Sequence, residues 1–195
     1  MLAVLDQLAV SFDLPILDWI QANLKNAFLD VVMPIITMFG DGGIFWIACA
    51  VILLCISKTR KTGLGMAFAL IMGLIVCNVT LKPLVGRIRP YDFQEQLGVV
   101  IPLLTERMHD YSFPSGHTIA SFEAATVLLI NNKKLGIPAM ILAVLIAFSR
   151  LYLYVHYPTD VIFSVFAGIL FAFLGNWLAG KVMARFPGKK GKFEA

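Results

Sequence analysis

The sequence predicts an all-α membrane protein, a polytopic six-helix bundle with an amphipathic helix at its N-terminus. Two observations support this fold class. Of the 195 residues, 59% are hydrophobic and only 14% are charged, which is too apolar for an ordinary soluble domain. Apolar runs able to span a bilayer also recur to the end of the chain. We therefore expect residues 1–195 to form a single membrane domain.

The first 26 residues mix apolar positions with charged and amide side chains. Asp6, Asp13 and Asp18 interrupt the apolar positions at intervals, a pattern typical of helices that lie along a membrane interface. Segment 1–26 is therefore predicted to be an interfacial amphipathic segment.

Six apolar segments follow and are predicted to span the membrane. Their limits are 27–39, 44–57, 64–84, 116–131, 137–155 and 160–182. The first two are short for a bilayer, so the pattern also permits five spans.

Basic residues cluster after the second, fourth and sixth spans. The members are Lys58, Arg60 and Lys61, then Lys133 and Lys134, then Lys181, Arg185, Lys189, Lys190 and Lys192. The positive-inside rule places these clusters on the cytoplasmic side. Loop 85–115 and turn 156–159 are then extracytoplasmic, and both termini are cytoplasmic. We expect an integral protein of a bacterial plasma membrane.

Five cations break this bias, because they lie on or near the extracytoplasmic side: Lys82, Arg87, Arg89, Arg107 and Arg150. A binding site for a polyanion would explain them, and anchoring to lipid headgroups is the alternative. The arginine guanidinium can donate two parallel hydrogen bonds to two phosphate oxygens, and lysine acts as a compact point charge. The mixture therefore suits a phosphoryl group.

Ser115, Gly116 and His117 follow Pro114 and open the fourth span. The first turn of a helix exposes unpaired N–H groups and the positive end of the helix dipole, which together attract an anion. Gly116 permits close approach to the backbone. The Ser115 hydroxyl either caps the helix or donates to a phosphate oxygen.

His156 ends the fifth span, and Asp160 follows after a turn at Pro158. Asp160 then falls in the first turn of the last helix, where it can accept a hydrogen bond from one imidazole nitrogen. The other nitrogen is free to act as a nucleophile, although a capped interfacial histidine is the alternative. His117 is the complementary acid, since a leaving group needs a proton.

No cofactor is predicted. Apart from Asp160, neither histidine has a second ligand at the usual metal spacing, so no metal site is expected. His109 has no motif around it and is expected at the surface. Glu123 lies within a predicted span and is expected to make a structural hydrogen bond there.

Three stretches of the sequence, which contain Lys82 and Arg89, Ser115 to His117, and Arg150 to Asp160, together resemble the signature of the type 2 phosphatidic acid phosphatase family. This family consists of integral-membrane lipid phosphatases. The family pattern is Lys, six residues and Arg-Pro; then Pro-Ser-Gly-His; then Ser-Arg, five residues, His, three residues and Asp. The matching stretches are 82–90, 114–117 and 149–160, in that order. The resemblance implies a six-helix bundle with its site at the extracytoplasmic interface, which agrees with the charge bias.

The resemblance also assigns roles within the site. It implies that His156 attacks phosphorus to form a phosphohistidine, that Asp160 orients His156, and that His117 protonates the leaving group. The residues implied to hold the phosphoryl oxygens are Lys82, Arg89, Ser115, Gly116 and Arg150.

The predicted function is metal-independent hydrolysis of a membrane lipid phosphate or diphosphate. Undecaprenyl diphosphate, phosphatidylglycerophosphate and phosphatidate are the candidates that the family suggests. Arg87 and Arg107 slightly favour a diphosphate, because they would add positive charge beyond one phosphate.

Two alternatives remain. A lipid phosphotransferase is the nearest, and an anion transporter is less favoured, because transport sites lie near the membrane midplane. The expected partners are the lipid substrate and the bilayer, with no nucleic acid. The oligomeric state is not predicted.

Overall fold

The computed structural model describes residues 2–185, which contain helices and no strand. The α-helices are α1 (Leu2–Leu8), α2 (Leu14–Asn23), α3 (Ala27–Met38), α4 (Ile44–Cys55), α5 (Arg60–Gly73), α6 (Lys82–Val85), α7 (Pro90–Gln96), α8 (Gly116–Asn131), α9 (Lys133–Tyr152) and α10 (Pro158–Arg185). Two π-helical stretches, Ala9–Asp13 and Leu74–Leu81, continue α1 into α2 and α5 into α6, and Asp41–Gly43 forms a 3₁₀ turn before α4.

Four helical stretches are long and apolar enough to cross a membrane. They are Ala27–Cys55, Arg60–Gln96, Lys133–Tyr152 and Pro158–Arg185. The prediction of an all-helical protein with membrane-spanning helices is thus confirmed. Between these stretches lies α8, which has 16 residues and packs against α5, α9 and α10. Its first turn therefore stands at one end of the centre of the bundle.

Small residues let α5 and α10 approach closely. A Cβ atom added to Gly175 would lie 2.6 Å from the carbonyl oxygen of Gly65 and 2.8 Å from the nitrogen of Ala69. Helices in a bilayer associate largely through such close backbone packing. This contact fixes α10, and with it Asp160, relative to the third predicted span.

Helix α3 does not run the length of the bundle. The Tyr152 hydroxyl donates to Asp30 near its start, and Arg150 donates to Thr37 near its end. Both partners belong to the end of α9, so both ends of α3 lie at one end of the bundle. This geometry differs from the predicted separate span over 27–39.

The N-terminal residues are helical and pack along one face. Leu14, Leu17 and Ile20 are buried against the segment that follows α9, and Gln21 Nε2 donates to the carbonyl oxygen of Tyr152 at 2.7 Å. The segment thus lies where α9 ends and α10 begins. The sequence prediction placed the N-terminus on the side opposite the site, whereas these contacts place residues 5–21 at the same end as His156.

The last helix, α10, ends at Arg185. Lys181 and Arg185, the first members of the predicted C-terminal basic cluster, lie within it. The remaining members and the C-terminus itself lie outside the described residues.

Candidate active site

One cavity of about 510 Å³ is lined by residues from all three motif stretches, 82–90, 114–117 and 149–160. The predicted site residues that line it are Lys82, Arg89, Gly116, His117 and His156. The other three are fully buried and do not line it: Ser115, Arg150 and Asp160. Residues separated by up to 74 positions therefore line one cavity.

His156 sits in a short bend between α9 and α10. The peptide N–H of His156 contacts the carbonyl oxygen of Arg150 at 3.4 Å, which turns the chain back over the end of α9. The imidazole Nε2 lies 3.4 Å from Arg89 Nη1. On the other side, Nδ1 lies 3.4 Å from Ser112 Oγ and 3.6 Å from Asp160 Oδ2. The two nitrogens thus face a cation and a carboxylate.

The environment keeps the His156 imidazole neutral. Burial lowers the pKa of His156 well below its usual value, and the charges of Arg89, Arg150 and Lys82 lower that pKa further. A neutral imidazole that carries its proton on the Asp160 side has a lone pair on Nε2, which is the state required of a nucleophile.

Asp160 is fully buried, and hydrogen bonds reach both of its oxygens. Oδ2 accepts from Ser112 Oγ at 2.5 Å and from the Tyr157 N–H at 3.1 Å. Oδ1 accepts from Arg87 Nη1 at 2.5 Å. The carboxylate is therefore held at the start of α10, as predicted. Ser112 lies in a loop without a motif, and no signal in the sequence identified it as a partner.

Arg87 links Asp160 to the N-terminal segment. Its Nη2 donates to Asp13 Oδ2 at 2.7 Å, and its Nη1 also donates to Thr159 Oγ1 at 2.8 Å. The guanidinium lies over the Tyr157 ring, 3.7 Å from the centroid. The sequence placed Arg87 only among the cations that would favour a diphosphate, and Asp13 only among the polar positions of an interfacial helix.

Arg107 lies away from the cavity lined by the histidines. It pairs with Asp92 at 2.6 Å and with Glu95, and its side chain is 49% exposed. Arg87 and Arg107 are thus both engaged by carboxylates. Their charges do not support the preference for a diphosphate that the sequence suggested.

Lys82 and Arg89 share a third carboxylate, Asp110. Lys82 Nζ forms an ion pair with Oδ2, and Arg89 Nη2 donates to Oδ1 at 2.5 Å. Burial opposes ionisation, but the hydrogen bonds from Lys82 and Arg89 prevail and lower the pKa of Asp110 to about 2. An anionic group of the chain therefore lies between two of the predicted phosphate ligands. Asp110 belongs to no motif, and sequence reasoning missed it.

Arg150 is fully buried behind the cavity. Nη1 donates to Thr37 Oγ1 at 2.5 Å, and Nη2 lies 3.3 Å from Met108 Sδ. Within residues 2–185, Nε has no hydrogen-bond partner and the guanidinium has no carboxylate within ion-pair distance. Its positive charge is therefore not offset by a direct partner.

The first turn of α8 has the predicted geometry. Ser115 Oγ accepts from the Thr118 N–H at 3.5 Å, which is the capping arrangement left open by the sequence. A Cβ atom on Gly116 would lie 3.0 Å from Asn78 Oδ1, so a larger residue would push against the amide of Asn78. Asn78 belongs to the π-helical stretch Leu74–Leu81 and also lines the cavity.

His117 has a partner that sequence reasoning did not find. Its Nε2 lies 2.7 Å from Asp41 Oδ1, in the turn before α4. Gly40 packs against the ring, because a Cβ atom there would lie 2.6 Å from His117 Cδ2. The turn therefore orients the His117 imidazole in the lining of the cavity.

Two further expectations have different outcomes. His109 is exposed, as predicted. Glu123 is 1% exposed and packs against Gly73, but its Oε1 has no hydrogen-bond partner among the described residues. The structural hydrogen bond expected of Glu123 is thus not made by this oxygen.

The other end of the cavity is apolar. Its walls include Ile47 and Val51 of α4 and Leu70 and Ile71 of α5. Ile47, Val51 and Ile71 are also 49%, 52% and 52% exposed, so the cavity borders the outer surface between these two helices. Among the described residues, no group of three His, Cys, Asp or Glu side chains is arranged to hold a metal ion.

The fold and the site define a class: a helical membrane protein whose two histidines and cationic side chains surround one amphipathic cavity. Comparison with known proteins agrees with this class. The PAP2 superfamily profile matches residues 62–184. The chain belongs to the PAP2 superfamily, which confirms the resemblance found in its motifs.

Individual relatives match most of the chain. The undecaprenyl-diphosphatase of Sulfolobus acidocaldarius is 33% identical over 171 residues, which cover 87% of this chain and 76% of that protein. The undecaprenyl-diphosphatase BcrC of Bacillus subtilis is 30% identical, with 76% and 74% covered. The phosphatidylglycerophosphatase B of Bacillus subtilis is 31% identical, with 73% and 65% covered.

Two solved structures share the fold. The crystal structure of Aquifex aeolicus LpxE superposes with a TM-score of 0.72, at 24% identity, over 85% of this chain and 94% of that chain. The PAP2-type phosphatidylglycerolphosphate phosphatase of Bacillus subtilis gives a TM-score of 0.64 at 28% identity, over 81% and 80%.

Proposed function

We propose that the protein hydrolyses a membrane lipid phosphate or diphosphate through a phosphohistidine intermediate. One observation carries this proposal: a single cavity has His117, His156, Lys82 and Arg89 at one end and apolar walls from α4 and α5 at the other. A lipid with a phosphoryl headgroup matches both ends. Its chain would remain between α4 and α5 while the headgroup reaches the histidines.

In the first step, the lone pair on His156 Nε2 attacks phosphorus. The N–P bond forms as the bond from phosphorus to the leaving oxygen breaks, and His117 gives that oxygen a proton. Asp160 holds the proton on Nδ1 and stabilises the positive charge that develops on the ring. Lys82, Arg89 and Arg150 are the cations that would offset the charge of the phosphoryl oxygens, with Ser115 and Gly116 at the helix terminus.

In the second step, water attacks the phosphohistidine. His117, now without its proton, accepts one from this water as the new P–O bond forms and the N–P bond breaks. Inorganic phosphate leaves, and both histidines return to their starting states. The protons balance over the two steps, because His117 regains from water what it gave to the leaving group.

Undecaprenyl diphosphate is the substrate that we favour within this class. The support comes from the two relatives named as undecaprenyl-diphosphatases, since Arg87 and Arg107 are paired elsewhere. Phosphatidylglycerophosphate is the second candidate, supported by a relative named as its phosphatase.

We also propose that the site faces the extracytoplasmic side. The support is the position of Lys58, Arg60 and Lys133 at the ends of α4, α5 and α9 remote from the site, where the positive-inside rule predicts cytoplasm. The packing of residues 5–21 onto the site further supports a single domain that includes the N-terminal segment.

Phosphate release tests the proposed function. Purified protein in mixed micelles should release inorganic phosphate from undecaprenyl diphosphate faster than from phosphatidylglycerophosphate or phosphatidate at equal surface concentration. His156→Ala should lose at least about a thousandfold in kcat, as removal of a nucleophile does, whereas His109→Ala should retain activity. Transfer of phosphate to an added alcohol, without release from any lipid, would contradict hydrolysis.

A further inference from the structure

We infer that Asp13 is a positioning residue that acts on the His156–Asp160 pair through Arg87. The inference rests on the proposed function, in which His156 becomes positively charged when it attacks. It concerns a residue of the N-terminal segment, outside the stretch 62–184 that the superfamily profile matches.

The contacts form a continuous chain from Asp13 to the imidazole. Asp13 Oδ2 accepts from Arg87 Nη2 at 2.7 Å, and Arg87 Nη1 donates to Asp160 Oδ1 at 2.5 Å. Asp13 Oδ1 also accepts from the Thr159 N–H at 2.9 Å. Asp13 therefore holds both Arg87 and the residue that precedes Asp160.

Burial strengthens the electrostatic interactions among these three side chains. Asp13 and Asp160 are fully buried, and Arg87 is 2% exposed. Water does not screen charges in such a place, so each contact is stronger than it would be at the surface. A buried carboxylate is also costly unless it is paired. A helix that only attaches to the membrane interface does not need a fully buried carboxylate, so the burial of Asp13 points to a further role.

The balance of charge gives Asp13 its effect. Arg87 alone would neutralise Asp160, and the pair would offer His156 no net negative charge. With Asp13 the cluster holds two carboxylates and one guanidinium, so one negative charge remains beside the imidazole. That charge stabilises the positive ring that forms as phosphorus is attacked. Asp13 thus lets Arg87 fix the geometry of Asp160 without cancelling its charge.

Asp13→Asn tests this effect with little change of shape. We expect kcat to fall about 10- to 100-fold, as loss of one favourable charge near a transition state does, while KM changes less than about threefold, because Asp13 does not line the cavity. Asp18→Asn is the matched control. It removes the same charge from the same segment, but Asp18 accepts from Tyr154 rather than from Arg87, and kcat should stay within about threefold of wild type.

A double variant separates charge from structure. Asp13→Asn combined with Arg87→Gln leaves Asp160 as the only charge of the cluster, so the net negative charge returns. We expect its kcat to exceed that of Asp13→Asn alone. Unchanged kcat in Asp13→Asn, or a double variant no more active than Asp13→Asn, would overturn the inference.

Nitrogen NMR of the histidine side chains gives a readout that does not depend on turnover. The chain has three histidines, and His109 is exposed and serves as an internal reference. Asp13→Asn should shift the His156 ring signals and leave those of His109 in place, whereas Asp18→Asn should shift neither. An unmoved His156 signal in Asp13→Asn would contradict the inference even if the protein hydrolysed no lipid. Absence of hydrolysis with a shifted signal would contradict only the proposed function.

Discussion

Asp110 lies between Lys82 and Arg89, where the proposed reaction places phosphoryl oxygens. Because a phosphate must displace this carboxylate, Asp110→Asn should bind inorganic phosphate more tightly. We expect the inhibition constant for phosphate to fall about tenfold, which corresponds to about 1.4 kcal/mol. Inhibition of lipid hydrolysis by added phosphate measures this constant.

Asp92→Asn is the control for that measurement. It removes the same charge from a surface pair with Arg107, so the inhibition constant should not change. A higher inhibition constant in Asp110→Asn would mean that Asp110 arranges the two cations for phosphate and does not compete with it.

At the residue scale, the sequence predicted the groups whose spacing is local. His156 and Asp160 are four residues apart, and the first turn of α8 follows directly from Pro114. It did not predict Asp13, Asp41 or Asp110, because each is an ordinary acidic residue in a segment without a motif. Their partners are distant in the chain. Asp41, for example, contacts His117, which lies 76 positions later, and only folding brings the two residues together.

At the scale of elements, the packing of α5 against α10 offers a sharp test. A Cβ atom on Gly175 would meet the backbone of Gly65 and Ala69 at 2.6 and 2.8 Å, and backbone atoms cannot rotate aside. Gly175→Ala should therefore destabilise the protein by about 1–3 kcal/mol. Thermal unfolding in detergent, followed by circular dichroism, measures the change as a lower Tm.

Gly180→Ala in the same helix provides the comparison. The nearest atom to its added Cβ would be Lys61 Cε at 3.9 Å, and alanine favours helix over glycine by about 1 kcal/mol. Its Tm should equal or exceed that of wild type. Equal loss of stability in both variants would show that the close contact does not determine the packing.

The elements also show where hydropathy is insufficient. The apolar pattern located the helices well, since α8 begins and ends at the predicted limits of 116 and 131. It could not tell that α3 has both ends at the end of α9, because an apolar helix has the same composition whether it crosses the bilayer or lies within its boundary. The contacts of Asp30 and Thr37 supply that information.

For the whole molecule, the position of the N-terminal segment predicts a topology. Residue 6 should lie on the same side of the membrane as residue 109, and residue 58 on the other. In a chain whose three cysteines are replaced, Asp6→Cys and His109→Cys should react with an impermeant maleimide in intact cells. Lys58→Cys should react only after permeabilisation. Labelling of Asp6→Cys together with Lys58→Cys, and not with His109→Cys, would restore the cytoplasmic N-terminus that the sequence suggested.

The most direct test of the central claim is to trap the covalent intermediate. Wild-type protein mixed with lipid diphosphate labelled at its terminal phosphorus, and quenched in alkali within one turnover, should carry the label on the peptide that contains His156. Alkali preserves a phosphohistidine, which acid removes. His156→Ala should carry no label. Release of labelled phosphate by the wild type without any labelled protein, or label on another residue, would contradict the account.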